Sequence, residues 1–182
     1  MKWRNSPVRY GWLSVGLHWF MLFLLIAVYA SMELRGFFPK GSAPREAMKT
    51  WHYMLGVSVL ALAMLRLAVQ RIGPVPAISP RPTKWMGRSA SWMKTALYLF
   101  MVGLPVLGWL LLSAKGAPIP FFGLHLVPLI HENEALAESI KEVHEAVATA
   151  GYFLIGAHAA AALYHHYLLR DDTLRRMLPT PD

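Results

Sequence analysis

Four separate stretches of this sequence are each long and apolar enough to cross a lipid bilayer. A helical span needs roughly 20 mainly apolar residues, because a helix rises about 1.5 Å per residue through about 30 Å of hydrocarbon. The windows run from about 12 to 32 (containing LHWFMLFLLIAVYA), 51 to 69 (WHYMLGVSVLALAMLRLAV), 94 to 113 (KTALYLFMVGLPVLGWLLLS) and 143 to 169 (including ATAGYFLIGAHAAAALYHHY). The expected fold is therefore all-α: an integral membrane four-helix bundle, one domain over residues 1–182. Composition agrees, with 55% hydrophobic and 15% charged residues, where a soluble domain carries about a quarter charged. The first window does not read as a cleaved signal peptide. Its apolar run is too long, and Glu33, Leu34 and Arg35 follow it without a small-residue cleavage site. The Pro-rich stretch GPVPAISPRPTK, residues 73 to 84, reads as a loop. Pro105 inside the third span asks neighbouring helices to satisfy the carbonyl it frees.

The formal net charge of +8 reflects basic residues that flank the apolar windows. No basic stripe with interleaved aromatics suggests a nucleic-acid partner. One side of the bilayer would hold Lys2, Arg4, Arg9, Arg66, Arg71, Arg81, Lys84, Arg88, Lys94, Arg170, Arg175 and Arg176. The other would hold Arg35, Lys40, Arg45, Lys49, Lys115 and Lys141. The positive-inside rule then puts both termini and the Pro-rich loop in the cytoplasm. Cysteine is absent, which excludes disulfides, iron–sulfur clusters and covalent c-type haem attachment.

An ionisable side chain within a span is a functional-site candidate. His144 and His158 lie 14 residues apart on the fourth window. Fourteen steps of about 100° fall about 40° short of four whole turns, so both rings share a face, about 21 Å apart along the axis. One metal cannot bridge that span, so each ring must find its partner on another helix. Depth pairs His52, at the outer start of the second span, with His144. It pairs His18, near the inner start of the first, with His158. Structural zinc usually takes four ligands, and each level supplies two imidazoles with no thiolate. Two trans imidazoles suit a six-coordinate b-type haem, so the expectation is two such haems, one per level. Ala146, Ala148, Ala150, Gly151, Gly156 and Ala157, with Gly16 and Gly56, offer room beside a flat macrocycle. Close helix packing explains such residues equally well. Arg66, 14 residues beyond His52, shares its face at the inner depth and would suit a haem propionate. A snorkelling interfacial arginine is the alternative. His125 and His131 read as solvated loop residues. His165, seven residues after His158, lies near the same face and is a candidate for a quinone carbonyl, with Arg81 as its neighbour.

These features resemble the bacterial cytochrome b561 family. The resemblance covers nearly the whole chain and is carried by LHW (17–19), MELRGFFP (32–39), WH (51–52), KEVHEAVATAGYFLIGAHAAAALYHHY (141–167) and DDTLRRMLP (171–179). It implies a diheme bundle in the bacterial inner membrane, with His18, His52, His144 and His158 as axial ligands. It also implies an oxidoreductase in which electrons pass from superoxide outside, through both haems, to ubiquinone. A short basic run of Arg35, Lys40, Arg45 and Lys49 in the first outer loop would attract a small anion. Lipid-headgroup anchoring would explain that run as well. Two other readings remain open at the level of sequence. One is a b-type membrane-anchor subunit of a larger dehydrogenase or hydrogenase. The other is a metal-dependent membrane hydrolase or a transporter using intramembrane histidines; the missing third ligand at each level argues against the hydrolase.

Overall fold

The computed structural model describes residues 3–80 and 82–178. Four long helices dominate: α1 (Trp12–Leu34), α2 (Ala43–Ile72), α3 (Lys84–Ala114) and α4 (Glu134–Tyr164). Each is long and apolar enough to cross a membrane. The helices outrun the apolar windows. α2 starts eight residues earlier, α3 ten and α4 nine, because hydropathy marks only the part that sits in lipid. The extra turns have their own start signals. Pro44 occupies the first turn of α2, where its missing N–H costs nothing. The Thr83 hydroxyl accepts from the Met86 N–H at the start of α3. The Asn133 side chain accepts from the Leu136 N–H, 3.0 Å, at the start of α4.

α1 with α2 and α3 with α4 pack as close antiparallel pairs, and α2 touches α3. Met21, Leu24, Val59, Leu62, Ala63, Phe100 and Met101 form the core, drawn from α1, α2 and α3. Phe20, Phe23, Met64, Leu99 and Phe153 point outward, as lipid-facing residues should. Lipid is as apolar as leucine, so these helices are held by close packing and polar contacts rather than by the hydrophobic effect. Gly151 shows the closeness: a Cβ there would overlap Tyr29 Oη and lie 2.5 Å from Phe100 Cε2. Close packing is thus the reason for this glycine. α1 meets α4 mainly through side chains. Tyr29 Oη donates to the Ala148 carbonyl at 2.7 Å, and Tyr152 Oη donates to Glu33 at 2.7 Å.

The connection from α3 to α4 contains a small hairpin, β1 (Pro120–Phe121) and β2 (Leu124–His125), that hydropathy gives no sign of. Its two turn residues, Phe122 and Gly123, both have positive φ, 45° and 87°, the geometry of a tight two-residue hairpin turn. The hairpin lies against the N-terminal part of α2, where Phe122 meets Trp51 with ring centroids 6.4 Å apart. At the other end the chain leaves α4 through a π-helical turn (His165–Leu169), reverses at Arg170 with φ 54°, and ends in a 3-10 turn (Arg175–Met177). Trp19 Nε1 donates to the Met177 carbonyl, so this tail lies against α1.

Candidate functional site

The four intramembrane histidines meet in two pairs. His52 on α2 faces His144 on α4 with ring centroids 6.3 Å apart and planes at 77°. His18 on α1 faces His158 on α4 at 6.2 Å and 65°. All four rings are half-buried. Within the described residues the two rings of each pair share no direct hydrogen bond, while His52 and His18 each have a polar contact with a neighbouring helix. A linear imidazole–metal–imidazole unit, with bonds of about 2.0 Å and ring centres about 1.1 Å behind each nitrogen, spaces centroids by about 6.2 Å. Both pairs stand at that spacing. Because α4 runs unbroken from Glu134 to Tyr164, the two pairs are about 21 Å apart along it.

The surroundings of each ring differ. His52 Nδ1 lies 3.3 Å from the Val28 carbonyl and 3.4 Å from Ser31 Oγ. Ser31 donates its own proton to Val28 at 2.6 Å. Nδ1–H of His52 is therefore the donor, and its Nε2 keeps a lone pair free, as for a metal-ligating histidine held by outer contacts. His144 turns its Nδ1 side toward α3, where that buried nitrogen has no hydrogen bond of good geometry. A Cβ at Gly108 would stand 3.3 Å from His144 Cε1, so only glycine leaves the ring this room. Neither Ser31 nor Gly108 was marked by the sequence reading. Their signal is tertiary, since nothing in the local sequence aims them at a histidine.

Arg66 on α2 turns toward α1. Its guanidinium reaches the Leu17 carbonyl at 3.2 Å and His18 Nδ1 at 3.2 Å. A guanidinium only donates, so Nδ1 accepts in this arrangement. Cβ atoms built at Gly16, Gly56 and Gly156 would meet no atom within 4 Å. Gly56 is one turn from His52, and Gly16 and Gly156 are each two residues before a paired histidine. Two residues along a helix is about 200° of rotation, so Gly16 and Gly156 face away from His18 and His158. Only the space at Gly56, on the His52 face, suits a broad, flat group beside a ring, in contrast to the crowding at Gly151. Among the described residues no three His, Cys, Asp or Glu side chains converge on a point.

Other sequence candidates fall outside the pairs. His165 Nδ1 lies 2.5 Å from the Asp171 carboxylate at the C-terminal end of α4. Arg81 lies outside the described residues. His125 and His131 are exposed and line an open cavity of about 500 Å³ in the α3–α4 connection. The α1–α2 loop is less free than its composition suggests. Lys49 pairs with Glu46 at 2.8 Å, and Arg45 donates to the Arg35 and Phe38 carbonyls at 3.2 and 2.8 Å. Arg35 and Lys40 have no acidic partner among the described residues, and Arg35 Nε is buried without a hydrogen bond.

Comparison with known proteins identifies the family. A family model described as prokaryotic cytochrome b561 matches residues 9–180. The chain is 41% identical over 171 residues to cytochrome b561 homolog 1 of Escherichia coli (strain K12), covering 94% of this chain and 97% of that one. It is 39% identical over 171 residues to the probable superoxide oxidase CybB of Yersinia pestis, covering 94% and 96%. Cytochrome b561 homolog 2 of Escherichia coli (strain K12) is 30% identical over 186 residues, covering 98% and 95%.

Proposed function

The chain belongs to the prokaryotic cytochrome b561 family of membrane haem proteins, and on that premise we propose that it carries electrons from superoxide on the outer side, by way of two b-type haems, to ubiquinone on the inner side. The observation that carries this reading is the double pairing of His52 with His144 and His18 with His158 at 6.3 and 6.2 Å. When bound, the haems would supply one-electron carriers at two depths of the bilayer. The residues of the chain hold and tune them. His52, with its proton fixed on Nδ1 by Val28 and Ser31, presents Nε2 to the outer iron. His144 completes that site from α4. His18 and His158 hold the inner iron. For His18 to bind through Nε2, its own proton must lie on Nδ1, where Arg66 can no longer donate. The guanidinium is then free for an anion, and a haem propionate beside it is the natural partner.

Arg35 and Lys40, the outer-loop cations without acidic partners, would draw superoxide toward the outer level. The relative named as a probable superoxide oxidase supports this donor. At the inner end, His165 would meet a ubiquinone carbonyl, and Arg81 of the Pro-rich loop is assigned beside it. The excess of basic residues on that side supports cytoplasmic termini.

Stopped-flow mixing of superoxide with the oxidised, haem-loaded protein tests the reading. Haem reduction faster than spontaneous dismutation, followed by reoxidation on adding ubiquinone, is expected. No haem reduction beyond the dismutation rate overturns it.

A further inference from the structure

Below the inner histidine pair, the chain folds back on itself to build a second, smaller arrangement. The reversal at Arg170 brings Asp171 beneath His165, and the Asp171 N–H donates to the His165 carbonyl at 3.2 Å. Asp171 Oδ2 lies 2.5 Å from His165 Nδ1, and Oδ1 accepts the Thr173 N–H at 2.9 Å. The Asp171 side chain is only 5% exposed, whereas that of His165 is 19% exposed. Asp172, the next residue, anchors the turn to the Pro-rich loop. Its carboxylate accepts the Ser79 N–H at 2.9 Å and pairs with Arg176 at 3.3 Å, while Arg176 reaches the Pro76 carbonyl at 2.7 Å. The carboxylate is thus buried, held on both oxygens, and set against one nitrogen of a ring whose other nitrogen it does not occupy.

We infer that Asp171 is a positioning residue that makes His165 the proton donor to the quinone as it is reduced, an inference that rests on the superoxide-to-ubiquinone reading above. Reduction of the quinone takes two electrons and two protons. The electrons come from two superoxide ions, each leaving as dioxygen. The His165 Nε2–H bond breaks as an O–H bond forms on the near carbonyl oxygen. Cytoplasmic water then restores the proton on His165 and supplies the one taken by the far oxygen. A carboxylate on Nδ1 suits this role in two ways. It stabilises the doubly protonated ring that precedes transfer. It also keeps a proton on Nδ1 afterward, so Nε2 is the nitrogen that takes up the next one. A neutral amide in its place can turn its NH2 toward Nδ1 and fix the wrong tautomer, the effect that makes an Asp-to-Asn change severe in a serine protease triad.

Two variants of the full, haem-loaded chain test this with ubiquinone-1 as acceptor. Asp171→Asn keeps an oxygen for the Thr173 N–H while removing the charge, and Asp171→Glu keeps the charge. Haem content and the rate of haem reduction by superoxide without quinone report on fold and electron entry. With both intact, Asp171→Asn is expected to lower kcat for ubiquinone-1 by about a hundredfold, with KM little changed. Asp171→Glu should restore most of that loss. A wild-type kcat in Asp171→Asn, a loss confined to KM, or a loss that Asp171→Glu does not relieve overturns the inference while leaving the superoxide–quinone reading standing. If the wild-type protein itself reduces no ubiquinone-1, that reading fails and the inference falls with it.

Discussion

Trp19 donates its indole N–H to the Met177 carbonyl at 2.6 Å, which ties the C-terminal turn to the residue beside His18. Removing this bond in Trp19→Phe should cost about 1 kcal/mol and loosen the tail without unfolding the bundle. Trypsin should then cut faster after Arg175 and Arg176. An unchanged cleavage rate would show that the tail is held elsewhere.

The two histidine pairs should be separable. His52→Ala should remove the outer haem and His158→Ala the inner one, each leaving about one haem per chain by pyridine quantification where the parent has two. Either variant retaining both haems would show the ligand assignment wrong.

Gly108 is expected to tolerate alanine but not a branched side chain. Alanine would press a Cβ to 3.3 Å from His144 Cε1, which a small ring tilt can relieve. Valine cannot be accommodated so easily, and overpacking of this kind costs about 1–3 kcal/mol. Gly108→Val should lose the outer haem selectively, while Gly108→Ala keeps it with an altered low-spin EPR signal. Full outer-haem occupancy in the valine variant would contradict the crowding.

Arg66 places a permanent positive charge beside the inner pair, which favours the reduced, less positive form of an iron there. At roughly 8 Å and an effective dielectric of about 20, one charge contributes about 2 kcal/mol, on the order of 90 mV for a one-electron couple. Arg66→Gln should therefore lower the midpoint potential of the inner haem and leave the outer one nearly unmoved. A redox titration in which both potentials fall together would sink the assignment.

The C-terminal turn should be acid-sensitive through Asp171. Burial pushes its carboxyl up, but hydrogen bonds from His165 and Thr173 outweigh this and hold it below the usual value of 3.8. A carboxyl depressed in the folded state adds stability that is fully present above its unfolded value. That stability is lost as pH falls through the folded one. Amide exchange across residues 165–178 should accordingly rise below about pH 4. Asp172 is the neighbouring carboxylate, paired with Arg176, so Asp171→Asn is the comparison that isolates the effect. If the acid response persists in that variant, Asp171 is not its source.

Much of the architecture was legible because lipid imposes simple rules. Four apolar windows must be helices, and a helix fixes where residues 14 steps apart will point. Hence His144 and His158 could be matched by depth alone to partners on α2 and α1. The helix starts at Ala43, Lys84 and Glu134 were hidden, because polar turns beyond the lipid look like loop by hydropathy. So was the hairpin, whose strands have two residues each. The free cations of the first outer loop could not be told from the engaged ones, since Arg45 finds its partners in backbone carbonyls. Ser31, Gly108 and Asp171 were invisible for a related reason. Each matters through a neighbour 21, 36 or 6 residues away, brought close by folding rather than by spacing.

The dependence of both levels on α4 has a mechanical corollary. His144 and His158 ride on one unbroken helix, whereas their partners come from two different ones. Any shift or rotation of α4 must therefore disturb both histidine pairs at once, while a movement of α1 or α2 touches a single pair. A lesion in α4 midway between the histidines should bleach the whole chromophore rather than half of it, and assembly should be sensitive to when that last helix docks.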